Sequence, residues 1–199
     1  MKKHTILYLA ANPSGTDLRA IDREVRAIQA ELERSSFRDR FELVTRWAVE
    51  PLDLIRGLRE LKPTVVHFSG HGGQNGLFFQ TAEGHAQLVT PAALAEAFGA
   101  AGASVKLVVL SACFSEVQAD ALLAHVDHVV GIGGSTHEAA ARTFAIGFYG
   151  GLIGDHFRVA LRRQQAGSAV VPSCGRDEDS SAVRWPARTP SHRGTQPRC

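Results

Sequence analysis

The chain has 199 residues, 44% of them hydrophobic, enough for one domain with a full core and too few for a second of similar size. Its net charge of +2 belongs to the last stretch: residues 166–199 hold five Arg against three acids, so the first 165 residues are electrically balanced. A balanced core without a basic stripe argues against nucleic-acid binding, three cysteines argue against a disulfide framework, and no apolar run approaches membrane-spanning length. A soluble, reducing, cytoplasmic setting is the expectation, one that keeps Cys113 as a thiol.

The opening MKKHTILYLAANP superficially resembles a secretory leader, but its apolar run Ile6–Ala11 is shorter than the roughly 7–15 residues of a secretory core. It reads as a strand over Thr5–Ala10. After the turn Asn12-Pro13-Ser14-Gly15, Leu18, Ile21, Val25, Ile28 and Leu32 recur at spacings of three and four, predicting a helix over Asp17–Arg34. A strand over Phe41–Trp47 follows, then a helix opened by Pro51 with Leu52, Ile55, Leu58 and Leu61 on its inner side. The next strand, Thr64–Ser69, ends at Gly70-His71-Gly72-Gly73. Gly76–Gln80 and Ala86–Val89 flank a Thr81–Gly84 turn and predict a small β-hairpin beside the main sheet.

Thr90-Pro91 supplies a cap and a first-turn proline for a helix to Ala101. A strand over Val105–Leu110 runs into Ser111-Ala112-Cys113. Ser115 and Gln118 match a capping box that starts a helix to Ala124, and Ser135 and Glu138 match a second one after a strand over His128–Ile132. The second box opens a helix to Gly150, and an amphipathic piece over Asp155–Gln165 closes the domain. From Ala166 the pattern dissolves into 34 residues with four of the eight prolines and no apolar periodicity, read as a disordered tail over 166–199. The alternation predicts a three-layer α/β domain over residues 1–165, with a mainly parallel sheet of flavodoxin-like order flanked by helices.

Two segments carry the chemistry. VVHFSGHGG (Val65–Gly73) and LVVLSACFS (Leu107–Ser115) are β-prone runs that stop at His71 and Cys113, 42 residues apart. If the two strands are parallel neighbours, about 4.8 Å apart, imidazole and thiol emerge together at the carboxyl edge of the sheet. A base beside a thiol makes a nucleophile, and the helix that follows Cys113 favours thiolate through its dipole. The glycines let backbone approach a substrate, so the Gly72 and Cys113 N–H groups are candidates for an oxyanion hole. A lone Cys ending a strand is ordinarily a small core hydrophobe; the joint placement of the two residues is what favours function. His67, inside its strand, reads as a hydrogen-bonded core residue. His125 and His128 flank Asp127, but at the edge of the sheet opposite Cys113, which argues against a metal site.

The motifs HFSGHG (His67–Gly72) and LSACFS (Leu110–Ser115) resemble the His-Gly and Ala-Cys motifs of caspase-like cysteine peptidases. The caspase nucleophile motif is Q-A-C-[RQG]-G with its His about 50 residues upstream. This chain keeps Ala112-Cys113 but has Ser111 for the Gln and Ser115 for the Gly. With ILYLAANP and RWAVEP, the text from about residue 4 to 160 more closely resembles the bacterial CHAT proteases, which are often linked to signalling or defence modules.

The resemblance implies a caspase-like fold and a peptide-bond hydrolase that needs no cofactor and no metal. Cys113 would be the nucleophile, His71 the general base and acid, and Gly72 with Cys113 the oxyanion site. Its partners would be a protein or peptide substrate and an activating signalling protein, with neither nucleic acid nor membrane. Relatives that cleave after Lys or Arg often carry an acid at the position of Ser111, so Ser111, together with Glu138, is a candidate substrate-binding residue of open preference. Two other readings stand beside this one. One is a catalytically inactive caspase-like scaffold. The other is a flavodoxin-like ligand-binding module, disfavoured as a phosphate receiver because Ala11-Asn12 and Gly70-His71 stand where carboxylates are needed.

Overall fold

Every residue of Val65–Ser69 and Leu107–Ser111 is buried, which requires strands covered on both faces. In the computed structural model, which describes residues 3–16, 20–135, 138–152 and 167–172, these strands sit at the centre of a parallel sheet. The elements are β1 (His4–Ala10), α1 (Ile21–Arg34), β2 (Phe41–Trp47), α2 (Pro51–Leu61), β3 (Val65–Ser69), β4 (His71–Gly73), β5 (Gly76–Gln80) and β6 (Ala86–Val89). They continue as α3 (Pro91–Ala101), β7 (Leu107–Ser111), α4 (Glu116–Leu122), β8 (His128–Gly133), α5 (Glu138–Leu152) and β9 (Gly167–Pro172). The main sheet runs β2-β1-β3-β7-β8-β9, and β4, β5 and β6 form a separate antiparallel sheet. This is the expected three-layer, flavodoxin-like order, with the chain reversing direction across the sheet between β1 and β3.

The faces are covered by different helices. Ile21, Val25, Ile28 and Leu32 of α1 join Ala145 and Tyr149 of α5 over Ile6, Val65 and Val109. On the other side Leu54 and Leu58 of α2, Leu94 and Phe98 of α3, and Ala119 and Leu122 of α4 cover Leu9, Phe68 and Leu110. Thr90 caps α3 as expected, its Oγ1 accepting the Ala93 N–H at 3.3 Å.

Some details differ from the sequence reading. Helix α2 buries Leu54, Gly57 and Leu58, while Leu52 and Ile55 are exposed. Gly57 rests against β1 so closely that a Cβ would lie 2.8 Å from Leu7 Cδ2. Ser115 does not cap α4 with its side chain. Its Oγ instead donates to Leu110 O at 3.3 Å and accepts the Ile132 N–H at 2.8 Å, tying β7 to β8 beneath the turn. The expected capping box of Ser135 and Glu138 spans residues 136 and 137, which lie outside the described residues.

The sheet also extends past the domain boundary expected at 165. Gly167–Pro172, assigned to the tail, pairs parallel with β8 from His128↔Gly167 to Gly133↔Pro172. It gives β8 a partner along an edge that would otherwise be open, and its apolar run is too short to signal this by periodicity. The expected helix over Asp155–Gln165 and the remainder of the tail, 173–199, lie outside the described residues.

Candidate active site

Strands β3 and β7 are direct neighbours, registered Val65↔Leu107 through Ser69↔Ser111. His71 and Cys113 each stand two residues beyond that last pair, at the carboxyl edge, one strand over from the reversal point. Past the register the chains stay joined. The Gly70 N–H donates to Ser111 O at 3.2 Å. Gly72 then lies on the Cys113 turn: a Cβ there would meet Cys113 O at 2.5 Å and Ala112 Cβ at 3.1 Å, so glycine is required by the close approach. His71, Gly72 and Cys113 are all partly exposed, and Cys113 is a thiol rather than half of a disulfide.

The His71 segment has more structure than a loop. As β4 it pairs antiparallel with β5, His71↔Phe78, Gly72↔Leu77 and Gly73↔Gly76. Bonded and non-bonded pairs alternate along such a ladder, and the pair beside a two-residue turn is bonded. Gly72↔Leu77 is therefore the non-bonded pair, and the Gly72 N–H is directed away from β5. At the end of the strand, Gln118 Nε2 donates to Gly73 O at 2.9 Å. The hairpin foreseen as Gly76–Gln80 with Ala86–Val89 thus has a third strand, and that strand carries the histidine.

The turn after Cys113 is strained. Phe114 has φ 52, the left-handed region that costs a residue other than glycine about 1–2 kcal/mol. It is fixed there by its N–H donating to Gly134 O at 2.8 Å, followed by Ser115 N–H to Ile132 O at 2.9 Å. Backbone strain of this kind concentrates at functional turns. Phenylalanine gives no sequence sign of it.

Directly beneath the strand ends is a buried polar cluster. Glu24 of α1 is 5% exposed and accepts from the hydroxyls of Tyr8 (3.0 Å), Ser111 (2.8 Å) and Ser69. His67, fully buried, holds Nδ1 3.0 Å from Tyr149 Oη and Nε2 3.5 Å from Glu24 Oε1, a long contact rather than a formed hydrogen bond. Its ring stacks on Tyr8 at 4.8 Å. Burial works to raise the Glu24 carboxyl pKa, but the His67 ring and the Ser69 and Ser111 hydroxyls outweigh it and hold the value down at about 2. Burial, and behind it the Glu24 charge, pushes the Tyr8 and Tyr149 phenols well above their ordinary range, so both stay protonated. His67 is the hydrogen-bonded core residue expected.

The candidate substrate residue Ser111 is 4% exposed and its hydroxyl is committed to Glu24. Glu138 lies in α5, and its side chain is outside what the structure describes. His125 packs its ring on Gly99, and Asp127 is paired with Lys106 at 3.1 Å. Among the described residues no three His, Cys, Asp or Glu side chains gather as a metal set. No described helix is long and apolar enough to cross a membrane. Glu24 and Gln118 were not foreseen as part of this region. Glu24 did leave a sign, since it lies three residues after Ile21 and four before Ile28, on the buried stripe of α1.

Among curated proteins, none matches the chain. A family model described as the CHAT domain matches residues 5–191, a span that also runs past the boundary expected at 165. That domain is related to the caspase-like cysteine peptidases, in keeping with the sheet order and the paired His-Gly and Ala-Cys strand ends. The chain belongs to the CHAT family.

Proposed function

We propose that this CHAT domain is a cysteine endopeptidase whose nucleophile is Cys113 and whose general base and acid is His71. The observation that carries the reading is the contact between the two strand ends: β3 and β7 are registered to Ser69↔Ser111, and beyond them Gly72 lies on the Cys113 backbone. The strained Phe114 and the direction of the Gly72 N–H support it.

His71 takes the proton from the Cys113 thiol, and sulfur attacks the carbonyl carbon of the scissile bond. The C=O electron pair moves to oxygen, which accepts from the Gly72 and Cys113 N–H groups. As the tetrahedral species collapses, the C–N bond breaks, His71 protonates the leaving amine, and a thioester remains. Water, losing its proton to His71, then attacks the thioester. The peptide acid departs and the thiol is restored. The chemistry uses no cofactor. The substrate is a protein or peptide, and the domain serves as a cytoplasmic effector in signalling or defence, controlled by a partner protein.

Cleavage of a positional-scanning peptide library tests the reaction and maps the residue preference together. Cys113→Ala should abolish cleavage, and His71→Ala should reduce it by about 10²–10⁴-fold. Cleavage retained in Cys113→Ala, or a thiol-directed probe that labels His71→Ala as fast as wild type, would overturn the dyad.

A further inference from the structure

Helix α4 has one residue that its packing does not explain. Gln118 is 0% exposed, next to Ala119 on a helix whose other buried residue is Leu122. Its Nε2 donates to Gly73 O at 2.9 Å, while its Oε1 is buried with no hydrogen-bond partner among the described residues. A buried acceptor left unpaired costs about 1–3 kcal/mol, so half of this side chain works against stability. The expected capping role does not account for it either, because Ser115 makes no side-chain cap.

What the bonded half does is join two pieces of the site. Helix α4 starts three residues after Cys113, and Gly73 closes the three-residue strand that carries His71 and Gly72. Two glycines in three residues give that strand little stiffness of its own. It is held along one edge by β5, and at its end by Gln118. The Gly73 carbonyl belongs to the peptide unit next to the one that joins Gly72 to Gly73, so holding it limits rotation of the Gly72 backbone about the Cys113 turn.

We propose that Gln118 is a positioning residue of the active site, which fixes the Gly72 N–H against the Cys113 turn by holding the Gly73 carbonyl. This rests on the peptidase reading above. Its effect belongs to the transition state, where the oxyanion calls on that N–H, and not to substrate binding.

The test is the pair Gln118→Met and Gln118→Glu in the full chain, with turnover normalised to active sites titrated by a thiol-directed covalent inhibitor. Methionine keeps the shape, removes the donor and removes the unpaired oxygen. A positioning role predicts that kcat falls about 10–10²-fold with KM unchanged within about twofold, while the melting temperature holds or rises. A merely structural role predicts a lower melting temperature with kcat per active site unchanged, and that result overturns the proposal.

Gln118→Glu supplies a second readout. The carboxylate cannot donate to Gly73 O, but the protonated acid can, so its kcat relative to wild type should rise as pH falls. A flat ratio also overturns the proposal. Turnover in wild type with unchanged kcat in Gln118→Met removes this inference alone; absence of turnover in wild type removes the peptidase reading and this inference with it.

Discussion

The two faces of the sheet are packed by different means at the same strand ends. Toward α2, α3 and α4, β3 and β7 present Val66, Phe68, Val108 and Leu110 to an apolar layer that continues through Ala112. Toward α1 and α5 the alternate residues His67, Ser69 and Ser111 meet Glu24, Tyr8 and Tyr149 in a hydrogen-bonded cluster. Apolar contact is non-directional and tolerates small slides, whereas three hydroxyls on one carboxylate do not. The polar face fixes how β1, β3 and α1 stand relative to β7, at the level from which His71 and Cys113 project.

The largest effect should come from the apolar side. Phe68 is 2% exposed and its ring lies 5.0 Å from that of Phe79, so Phe68→Ala should cost about 3–5 kcal/mol in urea or thermal unfolding. Because no titrating group is removed, the loss should be the same across pH. A loss that varied steeply with pH would mean that the two faces are not independent.

Glu24→Gln should cost less, about 1.5–3 kcal/mol, the range for hydrogen bonds to a charged acceptor. Its signature is in the pH dependence. The folded carboxyl is depressed to about 2 from the ordinary value of 4.5, so its contribution is fully present above about pH 4.5 and is lost as pH falls toward 2. Wild type should therefore lose stability across that window, and Glu24→Gln should lose correspondingly less. Equal slopes in the two proteins would contradict the depressed carboxyl.

These two faces were not equally legible in the sequence. The apolar face follows from periodicity and composition, and so do the element positions: the strand Phe41–Trp47 and the helix Pro91–Ala101 match the structure residue for residue. The periodicity reading misplaced the inner face of α2, where Leu54, Gly57 and Leu58 pack inward, and the run at Gly167–Pro172 is too short to read. Within the site, His71, Gly72 and Cys113 were legible as types at strand ends. The positions of their neighbours were not, because Ser111 and Gln118 each have an ordinary local use, in a pocket or a cap, that tertiary partners override. Ser111 turns inward to a carboxylate 87 residues away, and Gln118 reaches a carbonyl 45 residues away. No local pattern encodes such contacts.

The smallest effect is the most specific test of the polar face. Ser69 and Ser111 are paired across β3 and β7 and donate to different oxygens of Glu24, Ser69 to Oε2 and Ser111 to Oε1. Each Ser→Ala change should cost about 1–2 kcal/mol, since Tyr8 and the remaining serine still serve the carboxylate. Removing both leaves Glu24 with one hydroxyl for two buried oxygens, so the double variant should exceed the sum of the singles by about 0.5–1 kcal/mol. In the Glu24→Gln background that coupling should shrink, because a neutral amide gains less from each donor than a carboxylate does. Strict additivity in the wild-type background would mean that the serines act separately. The carboxylate would then be a neighbour of each strand end rather than the clasp between them.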